Sequence, residues 1–231
     1  KKYKKYVFEG LSQVYTEARK AGYSRSYDSM CKIIRKIKNK KEKKPKKIYK
    51  SNKKVKQASY PGERVQIDIK YVPRECICFG TRDQNYYQIT AIDEYTRKRV
   101  LKIVDEKSTY QTSKFLENLE KEIGFKIEKI QSDNGKEFTN AENGKKTLFE
   151  LKLEEMGIEY QTTRPYSPWQ NGKVERSHRL DSRYYLGKKF KSLEKLKKSV
   201  KKYCSRYNNI TRKVLKHKSP NEVLKEYMNN G

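Results

Sequence analysis

Apolar and polar residues alternate with a two-residue period in "RVQIDIKYV" (64–72), where Val65, Ile67 and Ile69 stand against Gln66, Asp68 and Lys70. That pattern predicts a strand with one buried face. "YYQITAIDEY" and "KRVLKIVDE" follow as two more strands around "EYTRK", and so short a connection predicts antiparallel pairing. Ser108 then opens an amphipathic helix that carries Phe115, Leu116, Leu119 and Ile123 and stops at Gly124. A fourth strand in "KIEKIQSD", a helix in "KTLFELKLEEMG", a fifth strand in "IEYQTT" and a helix in "NGKVERSHRLDSRYYLG" complete the series. Three meandering strands followed by alternating helices and strands predict an α/β fold, a mixed five-stranded sheet with helices on its faces.

The stretch before this region has a different texture. "EGLSQVYTEARKAGYSRSYDSMCKIIRKI" (9–37) reads as two helices around "AGYSRS", with Leu11, Val14 and Ala18 on one stripe, Gly22 as a stop and Ser26 as the next cap. Met30, Ile33, Ile34 and Ile37 give the second helix its expected buried face. A small all-helical helix-turn-helix module is expected over 1–37; a two-helix packing module with a solvated basic face is the plainer reading. Periodicity then disappears in "KNKKEKKPKKIYKSNKKVK", so residues 38–59 are expected to be a basic linker able to lie along phosphates, with Lys43, Lys44, Lys46 and Lys47 as contacts.

Charge sharpens this picture. The 231 residues carry 57 Lys and Arg against 28 Asp and Glu, a net +29. Residues 1–59 hold 21 basic and 4 acidic side chains, so this quarter of the chain supplies +17 of that excess. A polyanionic partner follows from the clustering. The 12% aromatic content and the clean periodic segments argue against disorder. Cys31, Cys76, Cys78 and Cys204 form no CxxC pair, and neither His178 nor His217 lies near a cysteine pair in sequence. A zinc site and a disulfide scaffold are both disfavoured. With no apolar run of membrane length and no signal peptide, the chain reads as soluble and intracellular. Its first residue is Lys rather than Met, as in a fragment.

Three acids stand on separate elements: Asp68 inside a β-branched strand, Asp133 at the end of another in "SDNGKEF", and Glu175 one turn into a helix entered through "PYSPWQNG". Asp-Asn-Gly alone is ordinary turn punctuation. Together, however, the three supply the hard oxygen ligands that Mg²⁺ accepts while keeping positions open for phosphate and water.

"ERVQIDIKYV", "AIDEYTRKRV", "QSDNGKEFTN", "MGIEYQTTRPYSPWQNGKVERSHRLD" and "RYNNITRKVLKHKSPNEVL" resemble the integrase-type core of bacterial insertion-sequence transposases and retroviral integrases, in order over residues 60–225. The resemblance implies a ribonuclease H-like catalytic core over 60–231, including the C-terminal helices. It also implies Asp68, Asp133 and Glu175 as catalytic, metal-holding acids with two Mg²⁺ (or Mn²⁺) ions. The activity implied is metal-dependent cleavage of transposon ends and strand transfer into target DNA by a homodimer or higher oligomer, in a bacterial cytoplasm near the nucleoid. A nuclease of the same fold and a non-catalytic DNA-binding derivative are the other readings.

Two departures from the family pattern stand out. Between Asp133 and Glu175 lie 41 residues, more than is usual, and the polar insertion "NAENGKK" accounts for the excess. Trp169 occupies a place where related sequences often have Gln, either stacking on a base or filling the loop. Arg179, one helical turn after Glu175, is expected to hold a phosphate beside the metals. Asn171 and Lys173 are expected to approach DNA at the helix start. His178 is either a packing or a catalytic histidine, and Asp93 is expected to be structural.

Overall fold

A computed structural model of the protein describes residues 5, 9–37, 57–81, 83–140, 144–164 and 167–230. Lys43, Lys44, Lys46 and Lys47, with the linker up to residue 56, lie outside the described residues. In chain order the elements begin with α1 (Leu11–Lys20), α2 (Tyr27–Ile37), β1 (Val65–Tyr71), β2 (Tyr87–Asp93) and β3 (Arg99–Val104). There follow α3 (Thr109–Ile123), β4 (Lys129–Ser132), α4 (Leu148–Glu155), β5 (Glu159–Thr162), α5 (Gly172–Tyr185), α6 (Leu193–Asn208) and α7 (Pro220–Asn230). The described residues fall into two units: 57–208, and 5 and 9–37 together with Asn209–Asn230.

In the larger unit the five strands form one sheet in the order β3-β2-β1-β4-β5. The β1–β2 and β2–β3 pairs are antiparallel, as the short connections predict, whereas β1–β4 and β4–β5 are parallel. Parallel neighbours need a crossover, and α3 and α4 supply one each. Val65, Ile67, Ile89, Ala91 and Val100 cover one sheet face and pack against Phe115, Leu116, Leu119 and Ile123 of α3 and Phe149 and Leu153 of α4. On the other face Ile103 and Tyr86 meet Tyr185 of α5 and Leu196 and Val200 of α6. Burial of an apolar side chain of this size is worth ~1.5–3 kcal/mol, so both layers hold the sheet that carries the site.

Local signals account for the ends of these elements. Ser108 accepts from Gln111 N at the start of α3, and Gly124 ends that helix in the left-handed region (φ 91°), where a side chain would clash with its own carbonyl. Thr147 and Glu150 form a reciprocal capping box on α4. The insertion "NAENGKK" lies just before this cap and falls partly outside the described residues.

In the smaller unit, Val14, Met30 and Ile34 form the core, with Leu11, Ala18, Tyr15, Tyr23 and Tyr27 packed around it. Ser26 accepts from Ser29 N at the expected cap of α2. Ile33 and Ile37, expected in the buried face, are exposed. A two-helix core covers only a narrow stripe, and Met30 and Ile34 fill it; Ile33 falls about 100° from Ile34 around the helix, and Ile37 is the last residue of α2. The C-terminal boundary also differs from the expected 60–231 domain. α6 belongs with the sheet, but from Asn209 onward the chain groups with α1 and α2. Thr211 N donates to Gln13 Oε1 (2.9 Å), and His217 Nδ1 lies 2.7 Å from Ser12 Oγ. These bonds join residues about 200 apart in sequence, which no local pattern announces.

Candidate active site

The parallel pairing of β1 with β4 aligns Val65 with Ile130 and Gln66 with Gln131. Two residues beyond this aligned pair come Asp68 on β1 and Asp133, the first residue past the end of β4. The site is written twice in the sequence as Gln-x-Asp, once in "QID" and once in "QSD". Side chains alternate faces along a strand, so in β1 Gln66, Asp68 and Lys70 share the face opposite the Val65 and Ile67 core, and this is the face that α5 covers.

The glutamines set the helix that carries the third acid. Gln66 Oε1 accepts from the backbone N–H groups of Lys173 (3.0 Å) and Val174 (3.1 Å), satisfying two donors that the first turn of α5 leaves without intrahelical partners. Gln66 Nε2 and Gln131 Nε2 both donate to Gln170 O, at 2.8 and 2.9 Å. Further along, Lys70 Nζ donates to His178 O and Ser182 Oγ. Helix α5 therefore runs over β1 with Glu175 one residue beyond the point that Gln66 fixes.

Asp133 is exposed, and its Oδ1 accepts from Gly135 N (3.1 Å), while Asn134 Nδ2 donates to Thr163 O (3.2 Å) just beyond β5. The Asp-Asn-Gly turn is thus an ordinary Asx turn that also presents an acid at the sheet's edge. The turn folds Glu137 back so closely that a Cβ on Gly135 would lie 2.6 Å from Glu137 Oε1. Glu137 is buried and paired with Lys107 Nζ (2.9 Å). Glycine at 135 is what allows this approach.

Asp68 Oδ1 accepts from Ile69 N (2.7 Å), and its Oδ2 lies 3.4 Å from His178 Nδ1. Burial pushes the Asp68 carboxyl up to about 7, and repulsion from Asp133, Glu137 and Glu175 adds to the rise. Burial, helped by the charges of Lys70 and Arg99, pushes His178 down to about 4, so the Asp68 contact involves a neutral imidazole rather than an ion pair. The other ring nitrogen, Nε2, sits 3.3 Å from Thr90 Oγ1. These contacts place His178 against the candidate acid.

A carboxyl whose folded pKa stands above its unfolded value keeps its proton longer in the native state, so its contribution to stability becomes more unfavourable as pH rises. For Asp68 this loss begins near 4 and is complete above about 7. We expect Asp68→Asn to raise metal-free stability by ~2 kcal/mol at pH 8 and to leave it unchanged near pH 3. Thermal melts in chelator across that range check this, and parallel curves for the two proteins would refute it.

The remaining expected residues divide. Glu175 and Arg179 are exposed on α5, where they are free to face solvent. Lys173 is not: its ammonium is bound to Glu94, which is buried and also accepts from Gln66 Nε2 at 2.6 Å. Asn171 is buried too, with its Nδ2 at 3.5 Å from Ile67 O. Both residues expected to approach DNA are thus engaged within the protein at the start of α5. Trp169 belongs to the short helical turn Pro168–Asn171. Asp93 is structural as expected, accepting from Gly62 N, Thr96 N and Thr96 Oγ1.

Among the described residues, no three His, Cys, Asp or Glu side chains stand close enough to hold a metal ion. The donor set nonetheless suits a hard cation. It consists of carboxylate oxygens whose mutual repulsion raises Asp68, and Mg²⁺ is commonly held by one or two carboxylates with the substrate's phosphates completing its shell.

Two overlapping family models, each described as an integrase core domain, match residues 58–168 and 156–213. The chain belongs to the integrase core family. Over 133 residues this integrase core is 34% identical to a putative integrase of Spiroplasma virus SpV1-C74, covering 53% of this chain and 36% of that protein. Over 97 residues it is 36% identical to the retrovirus-related Pol polyprotein from transposon TNT 1-94 of Nicotiana tabacum, covering 41% of this chain and 7% of the polyprotein. The match thus spans well under half the length of either curated relative. Among solved structures, the catalytic core of HTLV-2 integrase in complex with magnesium, in a dimeric form, aligns with a TM-score of 0.52 at 16% identity over 72% of this chain and 98% of that one. The catalytic core of BIV integrase aligns with a TM-score of 0.53 at 18% identity over 73% and 97%. These likenesses carry the ribonuclease H-like fold. No helix among the described residues is long and apolar enough to cross a membrane.

Proposed function

We propose that this chain is the catalytic part of a DNA transposase or integrase, cutting the ends of a mobile element and joining them to target DNA. The observation that carries this reading is that Asp68 on β1 and Asp133 just past β4 follow aligned glutamines on adjacent parallel strands, with the charges of Asp133 and Glu175 both acting on Asp68, in a chain of the integrase core family. Asp68, Asp133 and Glu175 would hold two Mg²⁺ or Mn²⁺ ions. When bound, such ions activate water and neutralise charge on the phosphoryl group. The chain's own groups do the rest. Gln66 and Gln131 fix the start of α5, His178 holds Asp68 in place, and the exposed Arg179 grips a phosphate. In the first reaction water breaks the phosphodiester at the element's end and frees a 3′ hydroxyl. In the second that hydroxyl attacks a target phosphodiester, and a target 3′ oxygen leaves.

Two element ends must be joined together, so the acting form is a homodimer or larger assembly on DNA. At +29, copies repel one another until phosphates neutralise them. The basic stretch 38–56 adds sequence-independent attraction to DNA. The helix-turn-helix reading of α1 and α2 and a place near the bacterial nucleoid belong to the same proposal.

The test supplies the full chain with Mg²⁺, a labelled duplex ending in a candidate terminal repeat, and a circular target. Labelled strand covalently joined to the circle is the expected result. Cutting with no joined product would favour the metal-dependent nuclease of the same fold, and neither product, with DNA still bound, the non-catalytic derivative.

A further inference from the structure

The smaller unit holds a feature that a two-helix DNA-binding module does not require. A turn from the far end of the chain, Arg212 to Lys218, closes on itself through Arg212 N to Lys218 O (3.0 Å) and His217 N to Arg212 O (2.9 Å). Two consecutive non-glycine residues in it, Lys216 (φ 52°) and His217 (φ 67°), adopt the left-handed backbone, which L-residues with a side chain avoid. Such a conformation persists only where its surroundings impose it.

Those surroundings are plain. The His217 ring lies between Tyr15 (centroids 4.8 Å apart) and Tyr27 (4.7 Å), and its Nδ1 meets Ser12 Oγ at 2.7 Å. On the near side of the turn, Thr211 is bonded to Gln13 and Thr16. The turn is therefore pinned to both helices at fixed height. What it projects is charge: Lys213 and Lys216 are exposed.

The position of Lys213 gives this charge a direction. Its Nζ lies 4.7 Å from the centroid of the Tyr27 ring and 3.5 Å from Asp28 Oδ1, both in the first turn of α2. Helix α2 buries Met30, Cys31 and Ile34. On its outward side Asp28, Lys32 and Lys36 follow one another at four-residue spacing, with Arg35 beside them, all exposed. Residues so spaced stack along one helical face. Lys213 extends that row beyond the helix N-terminus, and the one acid in the row, Asp28, is the one it neutralises.

We propose that the Arg212–Lys218 turn and the outward face of α2 form one contact surface for the phosphate backbone of duplex DNA, so that the DNA-binding unit is assembled from both ends of the chain. A row of cations rigidly spaced over a helix and a strained turn matches a regular line of phosphates, and each neutralised phosphate releases counterions. This deepens the helix-turn-helix part of the proposed function and rests on it.

The experiment measures affinity of the full chain for a labelled mixed-sequence duplex by fluorescence anisotropy over a series of KCl concentrations. Four proteins are compared: wild type, Lys213→Ala with Lys216→Ala, Lys32→Ala with Lys36→Ala, and Lys225→Ala with a second exposed lysine, Lys20→Ala, as a charge-matched control on α7 and α1. The slope of log K against log salt is expected to become shallower by about 2 in each of the first two variants. The control is expected to keep the wild-type slope. If only the Lys32/Lys36 variant changes, the turn is not part of the surface, while the helical module remains a DNA binder. If neither changes, both this inference and the helix-turn-helix reading fail. An equal change in the control would reduce the effect to net charge and overturn the inference. All the altered side chains are exposed, so unchanged thermal melts verify that folding is not the cause.

Discussion

Glu175→Gln is expected to lower end cleavage and strand transfer by about a thousandfold or more, while DNA affinity stays equal or rises. Glutamine keeps the length and helix propensity of the side chain but removes the charge that would hold a divalent ion. A several-kcal/mol metal contribution to the barrier then disappears, and each 1.36 kcal/mol is a factor of ten. Glu175 is exposed on α5, so folding has little stake in it. An ordinary surface acid would give a stability change of ~0.5 kcal/mol or less and leave catalysis intact. Measuring cleavage, joining and DNA affinity side by side separates the two. Near-normal cleavage would remove Glu175 from the site. Glu137 would then be the next acid to test, because it is buried and raises Asp68 by its charge. Glu154 and Glu155, the other acids between Asp133 and Glu175 to consider, are instead tied to Lys146 and Lys152.

The second large effect concerns stability. Arg99 on β3 and Asp181 on α5 form an ion pair at 2.8 Å in which neither side chain is exposed at all. Burial works against the Arg99 charge, but Asp181 and the nearby tyrosines outweigh it and raise its pKa. Its guanidinium also donates to Ser177 Oγ (2.7 Å) and lies 3.6 Å from the centre of the Tyr207 ring on α6. Asp181 in turn accepts from Gln88 Nε2 (2.8 Å), and Gln88 from Tyr185 OH (2.7 Å). Removing the cation alone strands a carboxylate where water cannot reach it.

We expect Arg99→Leu to cost ~3–5 kcal/mol, a shift of roughly 10 °C in Tm for a unit of this size. Arg99→Leu combined with Asp181→Leu should recover most of that loss, since a buried pair exchanged for apolar side chains is often neutral. Denaturant unfolding of the two variants decides it. A double variant as unstable as the single one would show that packing, not the stranded charge, sets the cost. Because α5 carries Glu175 and Arg179, activity should follow the same order.

What the sequence by itself determined is whatever near neighbours in the chain impose. The alternation in "RVQIDIKYV" decides which side of β1 faces the apolar core, the apolar spacing from Phe115 to Ile123 does the same for α3, and Ser108 and Gly124 mark its ends; that α5 would bury the polar side of β1 as well was not written in that pattern. These are effects of side-chain period and backbone preference over a few residues. Asp68 and Asp133 were likewise visible, each standing where a polar residue interrupts or ends an apolar strand.

Only the tertiary structure decided which polar groups meet. The Gln-x-Asp repeat is plain in the sequence, yet that its glutamines hold Gln170 follows from the β1–β4 register and from the path of the chain between them. Lys173 read as a DNA contact from its place at the helix start; its ammonium meets Glu94, 79 positions away. Likewise, residues 209–230 follow α6 directly in the chain but group with α1 and α2, to which Thr211 and His217 are bonded. A buried polar side chain needs a partner, and the chain's own order does not say which distant residue that partner will be.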